Sequence, residues 1–125
     1  MLEHAKTEEQ IRNQIERCIE DCRNCHRVCL ETLSHILQTS LERAPALNIN
    51  LLLDCAEVCR LTTGFIIRNS EFYPIVCGDC ARICTRCGTE FEQYDDIDQL
   101  MLCAETCRRA AESCSLLSIS VPRRT

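Results

Sequence analysis

The residues of this sequence with the clearest capacity for chemistry are its thirteen cysteines among 125 residues. Within each of four segments, successive cysteines are separated by three, four or seven positions. They are Cys18, Cys22, Cys25 and Cys29, then Cys55 and Cys59, then Cys77, Cys80, Cys84 and Cys87, and finally Cys103, Cys107 and Cys114. Thiolates act as nucleophiles, as redox groups and as ligands for soft metal ions, so the pattern predicts a thiol-based site.

The spacing predicts that the cysteines lie on one face of each of four helices. At about 100° per residue, these steps confine each set to an arc of roughly 80° or less, which suits the inward face of a bundle. Chance alone would place the cysteines of all four segments on such faces in about one of 20,000 sequences. A single buried cysteine is an ordinary small core residue, so a bundle that uses cysteine only as filler is the structural alternative.

The rest of the sequence predicts long helices with short connections, because it has only three glycines and three prolines. Thr7 and Gln10 fit a capping box at the start of the first helix, and Asp95 or Asp96 is expected to cap the last. The predicted helices cover about residues 8–42, 47–69, 72–92 and 95–118. No run alternates apolar and polar residues over the length of a strand. The predicted fold is therefore all-α, an antiparallel up-and-down four-helix bundle with a cysteine-lined core, in one domain over residues 1–125.

Composition and charge exclude several classes of function. The net charge of −5 argues against nucleic acid as a partner, because clustered Lys and Arg would be needed to neutralise phosphates. No uncharged apolar run reaches the ~18 residues of a membrane span, and the N-terminus lacks the apolar core of a signal peptide. We therefore expect a cytoplasmic protein, with an exported form whose signal has been removed as the alternative. In the reducing cytosol, clustered cysteines are usually metal ligands or redox groups rather than disulfides.

The charge balance of a sulfur-lined core favours copper(I) as the bound metal. A zinc ion held by four thiolates leaves a charge of −2, which is costly to bury, whereas a monovalent ion for each thiolate leaves none. Copper(I) is soft and prefers thiolate ligands. Residues three or four apart on a helix have Cβ atoms about 5–6 Å apart, so two thiolates can share one ion. This argument predicts about 10–15 copper(I) ions per chain.

The alternatives are a zinc, an iron–sulfur or a thiol redox protein. A zinc protein would use the Cys-x2-Cys pairs, which are Cys22 and Cys25, Cys77 and Cys80, and Cys84 and Cys87. Zinc ribbons place such pairs on turns, whereas these pairs lie inside predicted helices. The first segment reads C-x3-C-x2-C-x3-C, which differs from the ferredoxin run, and no βαβ pattern surrounds Cys77 and Cys80 as a thioredoxin-like motif would require.

Four segments closely resemble the bacterial copper storage proteins, a family of cysteine-rich four-helix bundles. They are CIEDCRNCHRVC (18–29), CAEVC (55–59), CGDCARICTRC (77–87) and CAETC (103–107). The resemblance covers about residues 8–118 and implies a non-enzymatic protein that stores or buffers copper(I), usually as a homotetramer. Members of the family often place His and Met at the open end of the bundle, and His26, His35 and Met101 are the candidates for that position here.

A second apolar stripe of the first predicted helix lies about 100° from its cysteines. Its residues are Ile19, Leu30, Leu33, Leu37 and Leu41, and further apolar residues flank the second helix at Leu47, Leu51, Val58 and Phe65. These side chains are expected either to pack within the same bundle or to form a subunit interface.

Overall fold

The computed structural model of the chain describes residues 7–119 and contains four long α-helices in this range. They are α1 (Glu8–Thr39), α2 (Ile49–Ile67), α3 (Tyr73–Phe91) and α4 (Asp98–Ile119), and a short 3-10 helix (Leu41–Ala46) joins α1 to α2. Residues 7–119 contain no β-strand. The predicted all-α fold is confirmed, and three of the four helices begin within two residues of their predicted starts.

The helix ends follow from local side-chain chemistry. The Gln10 backbone N–H donates to the Thr7 hydroxyl at 3.0 Å, and the Thr7 N–H donates to the Gln10 side chain at 2.8 Å, so the predicted capping box is present. Helix α1 ends at Thr39, before the predicted residue 42, and Pro45 lies in the 3-10 helix that follows. The Asn48 side chain then accepts from the Leu51 N–H at 3.1 Å and caps α2.

The predicted capping of the last helix by Asp95 or Asp96 is wrong. Helix α4 begins at Asp98, and the backbone carbonyl of Ile97 accepts from the N–H of Met101. The Asp96 carboxylate is instead engaged by Arg43, whose Nη1 lies 2.5 Å from Asp96 Oδ2. This ion pair ties the connection between α3 and α4 to the connection between α1 and α2.

The four helices form an antiparallel up-and-down bundle. Helix α1 packs against α2 and α4, and α3 packs against the same two helices on the opposite side. Each cysteine face therefore points at the common axis, with the sulfur atoms in the middle of the core and apolar side chains towards both ends. Across residues 7–119, no helix has the length and apolar character needed to cross a membrane.

The second apolar stripe of α1 divides into two parts. Ile19 and Leu33 are half-buried and pack against the core. Leu30 and Leu37 are 41% and 52% exposed, and Leu41 lies in the 3-10 helix rather than on α1. Among the residues flanking α2, Leu47 is buried, whereas three are half-buried against the core, namely Leu51, Val58 and Phe65.

Candidate metal centre

All thirteen cysteines are buried in the core and none forms a disulfide. No cysteine is more than 1% exposed, so every sulfur atom predicted to face the axis does so. Burial at this density follows from the register on each helix, because steps of three, four and seven keep each sulfur on the face that meets the other helices.

The sulfur atoms form five groups that overlap along the axis, and the members of each group lie within 4.8 Å of one another. In order along the axis, the groups are Cys18, Cys22 and Cys114; Cys22, Cys59 and Cys80; Cys25, Cys55, Cys59 and Cys84; Cys25, Cys29, Cys55 and Cys107; and Cys29, Cys87, Cys103 and Cys107. Each group shares one or two cysteines with the next. The arrangement is therefore one continuous row of sulfur.

Contacts between helices connect the row. The Cys55 sulfur atom lies 3.8 Å from that of Cys25 on α1, 3.7 Å from that of Cys84 on α3 and 3.8 Å from that of Cys107 on α4. All four helices thus contribute sulfur at one level of the bundle. These separations exceed the ~2.05 Å of a disulfide bond, so the thiols are available as ligands.

The described core offers no cation that could neutralise a row of thiolates. Within residues 7–119, the buried polar side chains all belong to Ser or Thr. The Thr32 hydroxyl donates to the Val28 carbonyl at 2.7 Å, and the Thr63 hydroxyl donates to the Cys59 carbonyl at 3.0 Å. Since these hydroxyls serve the backbone, positive charge must come from bound ions.

The thiols titrate as a coupled network. The pKa of Cys107 is raised above the ordinary thiol range by Cys103 first, then by Cys25, Cys29 and Cys55, with burial acting in the same direction. The pKa of Cys103 is lowered, chiefly because the Cys107 thiol hydrogen-bonds to its thiolate. Neighbouring sulfur atoms therefore share protons, and an arriving cation displaces them.

The histidines that were candidates for a metal-binding opening are not part of the sulfur row. His26 is half-buried on α1, and its Nδ1–H donates to the backbone carbonyl of Ala56 at 2.8 Å. His35 and Met101 are also half-buried. In the described part of the chain, each group of clustered potential ligands consists of cysteine alone.

The profile of a protein family described as copper storage protein matches residues 9–118. The chain belongs to the copper storage protein family. Its function is to store several copper(I) ions by thiolate coordination inside a cysteine-lined bundle. The alternative of a zinc, iron–sulfur or thiol redox protein is not supported, since the Cys-x2-Cys pairs lie within α1 and α3 and are buried in the same core.

Three relatives place this copper storage protein among known sequences and structures. The cysteine-rich protein YhjQ of Bacillus subtilis is 34% identical over 99 residues, which cover 79% of this chain and 91% of YhjQ. Apo copper storage protein 3 of Bacillus subtilis superposes with a TM-score of 0.73 at 32% identity, covering 82% of this chain and 97% of that one. The copper(I)-bound copper storage protein BsCsp3 superposes with a TM-score of 0.78 at 32% identity, covering 84% of this chain and 98% of that one.

The separation of Cys77 from the other sulfur atoms had no signal in the spacing of the cysteines. Cys77 belongs to none of the five groups, although the pKa of its thiol responds to Cys114, which lowers it, and to Cys18 and burial, which raise it. Tyr73, one helical turn before Cys77, is buried, and burial together with the Cys77 thiolate raises the pKa of its phenol. The periodicity placed both residues on the inner face of α3 and Tyr73 towards one end of the core, but it did not separate Cys77 from the five groups.

Proposed function

We propose that all thirteen cysteines of this single domain are copper(I) ligands and that one chain holds about 10–15 ions by the charge balance of thiolate and copper(I). The observation that carries the proposal is the overlap of the five sulfur groups. Because each group shares a sulfur with its neighbour, bridging thiolates can hold a chain of ions without isolated sites. Isolated tetrahedral sites would not share ligands in this way.

Copper(I) fits this core better than a divalent ion for two physical reasons. The core is buried and the described residues place no cation in it, so a bound ion must cancel the thiolate charge nearly one for one. Thiolate is also the soft ligand that copper(I) prefers. The relative BsCsp3, which is described as copper(I)-bound, supports the same choice of metal.

The proposed role is binding and release rather than catalysis, in the reducing cytoplasm where the thiols stay free. The stored ions would supply metalloenzymes or be kept from doing damage. A homotetramer is the proposed assembly, and the exposed apolar side chains of two adjacent helices support it, since burial between copies would remove them from water. These are Leu30 and Leu37 on α1 and Leu53 and Leu61 on α2. Light scattering of the purified protein measures the assembly directly.

Titration of the reduced protein with copper(I) under anaerobic conditions tests the proposal. A chelator that forms a coloured copper(I) complex competes for the metal, and its absorbance reports free copper. We expect the chelator to stay colourless until about ten or more equivalents have been added, by the charge argument above. Protein whose cysteines have been alkylated after unfolding is the control. Saturation at one or two equivalents would refute the proposed storage by the whole sulfur row.

A further inference from the structure

Helix α3 packs closely against the backbone of α4 at Gly88, a buried residue near the end of α3. A methyl group on its Cα would lie 3.2 Å from the backbone carbonyl oxygen of Ala104 and 3.6 Å from Cys107 Cβ, both on α4. Carbon atoms in ordinary contact are about 3.5–4.0 Å apart, so a side chain at Gly88 would crowd the carbonyl. Because that oxygen belongs to the backbone, relief would require α4 to move away by a few tenths of an ångström.

The structure uses the missing side chain of Gly88 rather than its backbone freedom. Gly88 lies inside a helix and does not have the positive φ that would require glycine. Alanine is the better helix former at such a position, so glycine weakens α3 locally. What glycine permits here is the short distance to α4.

The side chain of Arg108 crosses the same contact. Its Cγ would lie 3.4 Å from a methyl group on Gly88, so the stem passes over this glycine. The Arg108 guanidinium pairs with the carboxylate of Glu92, the residue that follows α3. The ion pair therefore joins α4 to the end of α3 beside Gly88.

The close contact lies at the level of one four-sulfur group. Cys87 directly precedes Gly88 on α3, and Ala104 lies between Cys103 and Cys107 on α4. The sulfur atoms of these three cysteines lie within 4.8 Å of one another, and Cys87 is the member of the group that comes from α3. The separation of the two helices at Gly88 therefore sets the distance from the Cys87 sulfur to the sulfur atoms of α4.

The geometry of a shared ion leaves little margin at this group. Two sulfur atoms that bind the same ion lie at most two metal–sulfur bonds apart, about 4.6 Å if the ~2.3 Å thiolate bond of zinc is the guide. The 4.8 Å span of the group is already near this limit. A shift of α4 by a few tenths of an ångström would take Cys87 out of reach of an ion held by Cys103 and Cys107.

Gly78 offers a matched comparison on the same helix. A methyl group on its Cα would lie 3.8 Å from Ser118 Cβ on α4, which is an ordinary contact. A surface groove between α3 and α4 is lined there by Gly78, Ala81, Ser115 and Ser118. An added methyl group therefore fits at Gly78 without moving either helix.

We propose that Gly88 is a positioning residue for copper(I), because its lack of a side chain holds Cys87 close enough to Cys103 and Cys107 to share an ion with them. This inference rests on the proposed function. Gly88 contributes no ligand and acts through Cys87.

The variants G88A and G78A test the proposal. Both replace a glycine of α3 by the better helix former, so they differ in the contact with α4. Chelator competition measures the copper(I) capacity of each, and circular dichroism of the apo proteins checks the fold. We expect G88A to hold about one ion fewer than the parent chain, because Cys87 no longer shares one, and G78A to keep the parent capacity. An unchanged capacity of G88A, or an equal loss in both variants, would overturn the proposal.

A double variant tests whether Gly88 acts through Cys87. C87S removes the ligand itself, so G88A should cause no further loss of capacity in the C87S background. Losses that add up in C87S/G88A would show that Gly88 affects other ligands and would contradict the proposed role.

Silver(I) separates a change in spacing from general damage to the core. It has the charge and the soft character of copper(I) but a larger radius, so it bridges a wider gap between thiolates. We expect G88A to bind as much silver(I) as the parent chain although it binds less copper(I). A parallel loss of both metals would refute positioning by Gly88.

The parent chain keeps the proposal testable if G88A fails to fold. Copper(I) saturation should protect Cys87 from alkylation by iodoacetamide as fully as Cys103, and peptide mass spectrometry measures both. Equal protection supports a shared ion, whereas an unprotected Cys87 would leave Gly88 nothing to position and overturn the proposal. Failure of the storage function would instead appear as a low copper capacity of the parent chain itself.

Discussion

The sulfur atoms of Cys18 and Cys114 lie 3.5 Å apart, although 96 positions separate these residues in the chain. They come from α1 and α4, which run antiparallel, so the start of one helix meets the end of the other. The same Cys114 sulfur lies 3.4 Å from Cys22, one turn further along α1. One thiol of α4 thus bridges two levels of α1, and this sharing makes the separate thiols one site.

Cysteines that belong to two groups should matter more for copper capacity than one that belongs to none. Cys107 belongs to two four-sulfur groups, and Cys77 belongs to none. We expect C107S to lower the capacity by about two ions and C77S by about one at most, since a hydroxyl is a poor ligand for copper(I). Chelator competition measures both capacities. Circular dichroism of the apo proteins checks that both variants fold, and equal losses would contradict bridging by Cys107.

Copper(I) should stabilise the folded protein strongly. The sulfur row exists only when the four helices pack together, so bound copper favours the folded state by mass action. At a free copper concentration 100 times the dissociation constant, one site contributes about 2.7 kcal/mol to the free energy of unfolding. We expect the Tm to rise with each added equivalent until saturation. Copper added together with excess chelator is the control, and a constant Tm would point to cysteine as a mere filler of the core.

Copper affinity should fall as the pH falls. The pKa of Cys59 is raised by Cys22 and other neighbouring sulfur atoms and by burial, and that of Cys107 is raised by Cys103 and its neighbours. Both sulfur atoms therefore carry protons at neutral pH, and copper(I) must displace them. For each proton released per ion, affinity should weaken by about tenfold per pH unit.

Two measurements check this pH dependence. Copper(I) added to weakly buffered protein should acidify the solution in proportion to the ions bound. Competition titrations one pH unit apart, corrected for the protonation of the chelator, should give the weaker affinity at the lower pH. An affinity that is independent of pH would show that the thiols were already ionised before binding.

An apolar layer with one buried side chain from each helix should contribute to stability without contributing ligands. It consists of Ile36, Leu52, Phe91 and Leu100. Leu100 is 0% exposed in this layer, whereas Leu102, on the same helix, is 47% exposed. We expect L100A to lower the free energy of unfolding of the apo protein by about 2–5 kcal/mol, because it leaves a cavity. L102A should change it by no more than about 0.5 kcal/mol. Urea denaturation measures both, and each variant should retain the copper capacity of the parent chain.

The helices and their inner faces were predictable from the sequence because they depend on local rules. Thr7 and Gln10 signalled the start of α1, and the steps between cysteines predicted which face of each helix is buried. The start of α4 was not predictable in the same way. Asp96 is a good capping residue in isolation, but its carboxylate is taken by Arg43, which lies 53 positions earlier in the sequence.

The sequence by itself determined that thirteen thiols face a common axis, since the direction of a helical side chain depends only on its position in the repeat. Only the tertiary structure decided which sulfur atoms meet, because the axial stagger and rotation of each helix come from packing against the other three.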